Sequence, residues 1–220
     1  MPTTHTPEEI PAMLLKQPCS SEHLTNGDKN KSIKMPQNDA SDQARLNQGR
    51  VAIFVDGSNL FYAALQLGIE IDYSKLLGQL TANCRLLRAF FYTGVDRTNE
   101  KQQGFLLWMR RNGYRVITKD LIQLPDGSKK ANLDVEIAVD MLTLADHIDT
   151  VILVSGDGDL AYAVNSIAYQ GVRVAVVSLR SMTSDSLINV ADSYIDLDTI
   201  KENIQKPTGA GYTDCVTRTT

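Results

Sequence analysis

Histidine is almost missing from this chain. There are three in 220 residues, His5, His23 and His147, and all fall in expected tails or at a helix end. A Ser/His/Asp nucleophile needs an imidazole base near its serine, so that chemistry is excluded and Ser58 carries no catalytic role. Cysteine is equally sparse: Cys19, Cys84 and Cys215 lie far apart, with no CxxC pair. This excludes a disulfide framework and a zinc site and fits a reducing cytoplasm, with Cys84 expected as a buried thiol. No apolar run approaches the length of a membrane span. The opening "MPTTHTPEEIPAMLL" lacks the basic-then-apolar pattern of a signal peptide. There is no P-loop and no GxGxxG, and no internal repeat.

What is present suits one domain with tails. Hydrophobic residues make up 43% of the chain, enough for a sizeable core. Residues 1–48 are rich in Pro, Ser, Asn, Gln, Asp and Lys and read as a disordered polar tail, which bears at most a short helix around Glu8 to Lys16. Residues 201–220 read as a second disordered tail. The folded domain is expected over 49–200. Net charge is −4, but the distribution is uneven. From Arg85 to Lys130 there are ten Lys and Arg against four acids, so that segment is +6 and the remainder −10. Such a basic middle holds a phosphate backbone or is a solvated face; charge alone leaves both open.

Between the tails, strands alternate with helices. "RVAIFV" is a short continuous apolar run, the mark of a strand buried on both faces. "RLLRAFFYT", "YRVITK", "TVILV" and "VRVAVVS" follow as strands, with "SYIDL" as a short last piece. Helices are expected from Ser58 to Gln66, in "DYSKLLGQLTA", in "TNEKQQGFLLWMRRNG", in "DVEIAVDMLTLAD", in "LAYAVNSIAYQG" and near Asp185 to Ala191. "LIQLPDGSKKANL" carries a Pro-Asp-Gly turn and reads as a hairpin or extended loop. The alternation predicts an α/β fold: a three-layer α/β/α sandwich on a mainly parallel sheet.

Ligands bind beyond the carboxyl ends of strands in such sheets. Asp56 falls at that end of the first strand, and Asp157 and Asp159 at that end of "TVILV". Asp134 opens the helix before it. Two like charges about 4 Å apart cost roughly 4 kcal/mol at an effective dielectric near 20. Crowded acids must therefore protonate, spread or hold a cation. An oxygen-only set favours Mg²⁺ or Mn²⁺ over zinc, and such an ion polarises a phosphoryl oxygen and activates water for phosphodiester hydrolysis. Gly57 and Gly158 permit sharp turns and close backbone approach, and the helix N-termini that follow offer amides to phosphate. The plainer alternative is that each Asp caps a helix. Asn59 either orients substrate, water or a neighbouring Asp, or caps the helix. Asp140 is a secondary candidate: it lies six residues from Asp134, about 240° round the helix, and cannot point the same way. Other motifs fail on spacing. An Asp-x-Asp phosphotransferase needs an acid where Ser58 stands, a DxSxS site needs a serine at Leu60, and an EF-hand needs an oxygen ligand at Ala161.

"FVDGSNL", "LDVEIAVDML" and "LVSGDGDLAYAV", in that order, resemble the NYN domain, the LabA-like branch of the PIN-like ribonucleases, over Gly49 to Asp198. The resemblance implies a Rossmann-like, PIN-like sandwich and a divalent-metal ribonuclease site. Asp56, Asp134, Asp157 and Asp159 would bind the metal, with Asn59 in support. RNA is the implied partner; the basic segment from Arg85 to Lys130, not the resemblance, supplies Arg97, Lys101, Lys129 and Lys130 as the expected backbone contacts. Two departures stand out: the Lys-Gly pair often found before the middle Asp is "KKANLD" here, and the aromatic after the second acid is Leu160. The family also contains cyanobacterial regulators that feed back on circadian gene expression. A second reading follows: a regulatory module that binds RNA or protein without cutting, with the polar N-terminal tail suited to partner contacts. The oligomeric state stays open.

Overall fold

Val51 to Val55 are buried without exception, and this run forms the centre of the sheet. The computed structural model describes residues 49–82, 84–123 and 129–207. In chain order the elements are β1 (Arg50–Asp56), α1 (Gly57–Leu67), α2 (Tyr73–Leu80), β2 (Arg85–Val95), α3 (Glu100–Arg111), β3 (Tyr114–Asp120), β4 (Ile122–Gln123), β5 (Lys129–Lys130), α4 (Asp134–Leu144), β6 (Thr150–Val154), α5 (Ala161–Ala168), β7 (Arg173–Ser178), α6 (Asp185–Val190), β8 (Ser193–Asp196) and α7 (Leu197–Ile204). Short 3₁₀ turns at Ala145–His147, Gly158–Leu160 and Arg180–Met182 join them.

Six strands pair in the order β3-β2-β1-β6-β7-β8, and every pair is parallel. Side chains alternate between faces along a strand, and the core divides accordingly. Val51, Ile53 and Val55 pack with Leu60 of α1, Leu76 of α2, Met109 of α3 and Ile200 of α7. Ala52 and Phe54 pack with Ile137 and Met141 of α4, Val164 of α5 and Leu187 of α6. The chain steps outward from β1 to β3 with helices on one face. It then crosses to β6 and steps outward again with helices on the other, as crossovers of one hand require. The result is the expected three-layer sandwich. β4 and β5 pair antiparallel in the segment expected as a hairpin or extended loop; its Pro-Asp-Gly residues lie outside the described residues.

The strand order reverses between β1 and β6. That is the place where an open α/β sheet leaves a crevice at its carboxyl rim, and the Asp-Gly turns after β1 and β6 stand on either side of it.

The fold runs further than composition indicates. α7 passes the boundary expected at residue 200 and buries Leu197, Ile200 and Ile204. Asp196 caps it by accepting from the Asp198 amide. The Lys206 amide then donates to the Glu70 carbonyl at 2.8 Å. The apolar spacing of "LDTIKENI" and its leading Asp carry this signal, which the polar tail after it obscures. The tail expected over 1–48, the helix around Glu8 to Lys16, and residues 208–220 lie outside the described residues. Cys84 is half-buried, not fully buried. Its thiol donates to the Thr81 carbonyl at 3.2 Å, and burial pushes its pKa up.

Candidate metal centre

Asp56 ends β1 and turns its carboxylate back onto the helix that follows. Its Oδ1 accepts from the amides of Ser58 at 3.0 Å and Asn59 at 3.1 Å, and from the Ser58 hydroxyl at 2.7 Å. Asp157 repeats the device after β6: its Oδ1 accepts from the Asp159 amide at 2.9 Å. The capping role is therefore real for both. It does not use up either side chain. Each cap occupies one oxygen and fixes the rotamer, so the second oxygen is held in place at the rim.

Capping alone does not single these two out. Asp72 makes the same bonds to Ser74 and Lys75 at the start of α2, where no trio of acids meets among the described residues. What distinguishes Asp56 and Asp157 is their place on neighbouring strands, where Val55 is in register with Val154. The Ser155 hydroxyl joins them. It donates to Asp56 Oδ2 at 3.4 Å and accepts from the Asp157 amide at 3.2 Å, keeping the Asp56 carboxylate within two hydrogen-bond lengths of that amide.

α4 brings the third group. Asp134 is its first residue, and its amide donates to Asn132 Oδ1 at 2.9 Å. Lys119 of β3 steadies this entry: its Nζ donates to the Asn132 carbonyl at 2.9 Å and to Glu136 Oε1 at 2.7 Å. Asp134, Asp157 and Asp159 each offer a carboxylate oxygen, and these oxygens lie within 4.8 Å of one another. Asp56 is not one of that trio, but its charge is felt there. Burial and the Asp157 charge raise the Asp134 pKa above its ordinary value. Asp56 and Asp159 push the same way, against a hydrogen bond between the Asn132 side chain and the Asp134 carboxyl.

Among the described residues no Lys or Arg pairs with any of these four acids. A trio of half-buried and exposed carboxylates at this spacing, left without a countercharge, is a donor set for a hard oxygen-seeking cation. Asp56 lies outside the trio and adds its charge to the same rim.

The glycines act by proximity. A Cβ on Gly57 would sit 2.7 Å from the Tyr92 carbonyl, and one on Gly156 would strike the carbonyl of Met182. Neither residue needs a positive φ. They are small because β2 and the loop after β7 press against the rim.

The remaining candidates sit as follows. Asn59 is not an open side chain: its Oδ1 accepts from the Gly156 amide at 3.0 Å and from the Ser178 hydroxyl at 3.4 Å. It ties the start of α1 to the ends of β6 and β7. Asp140 faces away from the trio, as its helical angle requires, and accepts from the buried Tyr92 hydroxyl at 2.8 Å. Arg97 is committed to Asp120 through two bonds, at 2.9 and 3.0 Å. Lys101 and Lys130 are exposed. Lys129 belongs to β5, and its side chain lies outside the described residues. Sequence reasoning missed Ser155 and Lys119. Ser155 was readable as the first polar residue after a buried strand. Lys119 has no local signal, because its partners follow 13 and 17 residues later.

Comparison with known proteins fits this arrangement. The NYN domain family model matches residues 50–198. The low amplitude and bright protein LabA of Synechococcus elongatus is 36% identical over 165 residues, covering 71% of this chain and 88% of that one. A crystal structure of a Vibrio parahaemolyticus protein of unknown function superposes with a TM-score of 0.64 at 31% identity, covering 72% of this chain and 96% of that one.

Proposed function

The chain belongs to the NYN domain family, and on that premise we propose that it is a divalent-metal-dependent ribonuclease that hydrolyses RNA phosphodiesters at the rim between β1 and β6. The observation that carries this reading is the meeting of Asp134, Asp157 and Asp159 within 4.8 Å, without a countercharge among the described residues.

Asp56, Asp134, Asp157 and Asp159 would hold Mg²⁺ or Mn²⁺, which neutralises phosphoryl charge and lowers the pKa of water. The chain's own contribution is preorganisation. The caps on Asp56 and Asp157 fix one oxygen of each carboxylate. Ser155 spaces the two turns, and Asn59 clamps the loop that carries Asp157. Asp159 is exposed and meets substrate and water from the open side. Lys101 and Lys130, with Lys129 and the already paired Arg97, would line the path of the RNA backbone.

The test is cleavage of single-stranded RNA in Mn²⁺ or Mg²⁺ by the wild type and by Asp56→Asn and Asp157→Asn. The expected result is loss of cleavage in both variants with unchanged circular dichroism. Equal cleavage by variant and wild type would reject the site.

The 36% identity to LabA favours a second reading: a regulatory module, acting in gene-expression feedback such as circadian control, that binds RNA or protein without cutting. Residues 1–48 would then supply partner contacts. Rescue of a knockout phenotype by the Asp56→Asn protein would decide for it.

A further inference from the structure

The geometry points to Tyr162 as the residue that stacks on an unpaired base beside the phosphate to be cut. This inference rests on the proposed ribonuclease function and names how the substrate is recognised.

Tyr162 follows Asp159 by three residues, across the join of the Gly158–Leu160 turn and α5. Residues three apart on a helical turn share a face, with Cβ atoms about 5–6 Å apart. Both side chains are exposed, and the spacing puts the ring on the same side of the turn as an acid of the trio. Tyr162 is 83% exposed. Its hydroxyl has no hydrogen-bond partner among the described residues, and no ring packs on it.

The surroundings narrow the ligand class. α5 reads AYAVNSIA and the rim after β6 reads SGDGDL; neither carries a cation. On the loop after β7, Arg180 is paired with Asp185, so this side of the site offers little free charge to a phosphate backbone. It repels acidic peptides for the same reason. A ligand that seats one phosphate on a cation held by the acids, and reaches Tyr162 on the side of Asp159, must present a flat π face within one nucleotide of that phosphate. An unpaired nucleobase does so, and a base stacked inside a duplex does not. Stacking on an exposed aromatic tolerates any base, so Tyr162 selects single strands without selecting sequence.

The test uses the full chain with a fluorescent oligoadenylate, the same strand with one abasic nucleotide, and the corresponding duplex. Binding is measured by anisotropy in Ca²⁺, a hard cation that oxygen ligands hold, and cleavage kinetics in Mg²⁺. Tyr162→Ala is expected to weaken single-strand binding about tenfold, and Tyr162→Phe to restore it to within about twofold. KM rises by the same factor while kcat holds, because the contact is equal in ground and transition states. The penalty is independent of salt, shrinks on the abasic strand and is absent on the duplex. Tyr169→Ala, which removes an aromatic 84% exposed at the far end of α5, changes nothing. Equal binding by Tyr162→Ala and wild type overturns the inference, as does an equal loss on duplex or with Tyr169→Ala. If the wild type binds but never cleaves, the ribonuclease reading fails while the stacking arm still reports. If it binds no RNA, both fall.

Discussion

The Ser155 hydroxyl stands between Asp56 and Asp157, donating a hydrogen bond to the Asp56 carboxylate and accepting one from the Asp157 amide. Acids 101 residues apart in sequence are thus set by a hydrogen-bonded bridge at the seam of two parallel strands. The trio of Asp134, Asp157 and Asp159 is built beside that seam, and its behaviour follows from crowding.

Burial and neighbouring charge raise the Asp134 pKa. The folded state therefore holds this proton more tightly than the unfolded chain. The cost of ionising Asp134 is absent below the ordinary carboxylate range and fully present above the raised pKa. Asp134→Asn should raise the melting temperature in chelator by a few degrees at neutral pH, and the gain should vanish as pH falls below that range. Mg²⁺ should reverse the order: at a hundred times Kd the wild type gains about 2.7 kcal/mol and the variant much less. Thermal melts with and without Mg²⁺ at two pH values check both signs.

Asn59→Ala deletes the acceptor for the Gly156 amide and the Ser178 hydroxyl. A buried donor left unpaired costs about 1–3 kcal/mol. Urea denaturation should show a loss in that range. Activity should fall even at temperatures where the variant is fully folded, because the loop bearing Asp157 loses its clamp. Asn59→Asp keeps an acceptor but adds a charge beside Asp56, so it should not regain the wild-type stability in chelator.

Tyr92→Phe removes the bond to Asp140 and leaves the ring buried. The hydroxyl donates to a charged group, so about 1.5–3 kcal/mol is at stake, reduced because Asp140 is only half-buried. Chemical denaturation should show about 1 kcal/mol lost while the RNA cleavage rate is unaltered. A matching loss of cleavage would make Asp140 part of the site.

Neutralising Lys101 and Lys130 together should weaken RNA binding and flatten its salt dependence, each lost phosphate contact lowering the slope by about 0.7 on a single strand. Arg97→Gln should change the slope less, since that guanidinium is already paired with Asp120. Titrations at several ionic strengths measure both; unaltered slopes would mark the basic segment as surface.

Much of this was legible in the chain. "RVAIFV" and "TVILV" read as buried strands because apolar side chains crowd both faces of a central parallel strand, and Asp56 and Asp157 could be placed at their ends. The order of the strands could not be read, because register is decided by pairing between distant segments. Two things followed from that. The seam between β1 and β6 is visible only in the fold, and so is the Ser155 bridge across it. Asn59 left two roles open in the sequence. Its partners, 97 and 119 residues away, give it a third, as a clamp. Asp140 shows the opposite case: helical angle alone removed it from the trio, while its bond to Tyr92 needed the fold. α7 escaped notice because eight ordered residues precede a polar end.

Gly156 lies so close to Met182 that the turn after β6 and the loop after β7 share one boundary. Neither can be lengthened or re-aimed alone: a residue inserted near Met182 would shift the position of Asp157 as surely as a change beside Asp157 itself. Variation that retunes this rim must therefore arise as matched changes in two loops, and homologues that differ at Gly156 should differ between Leu179 and Ser184 as well.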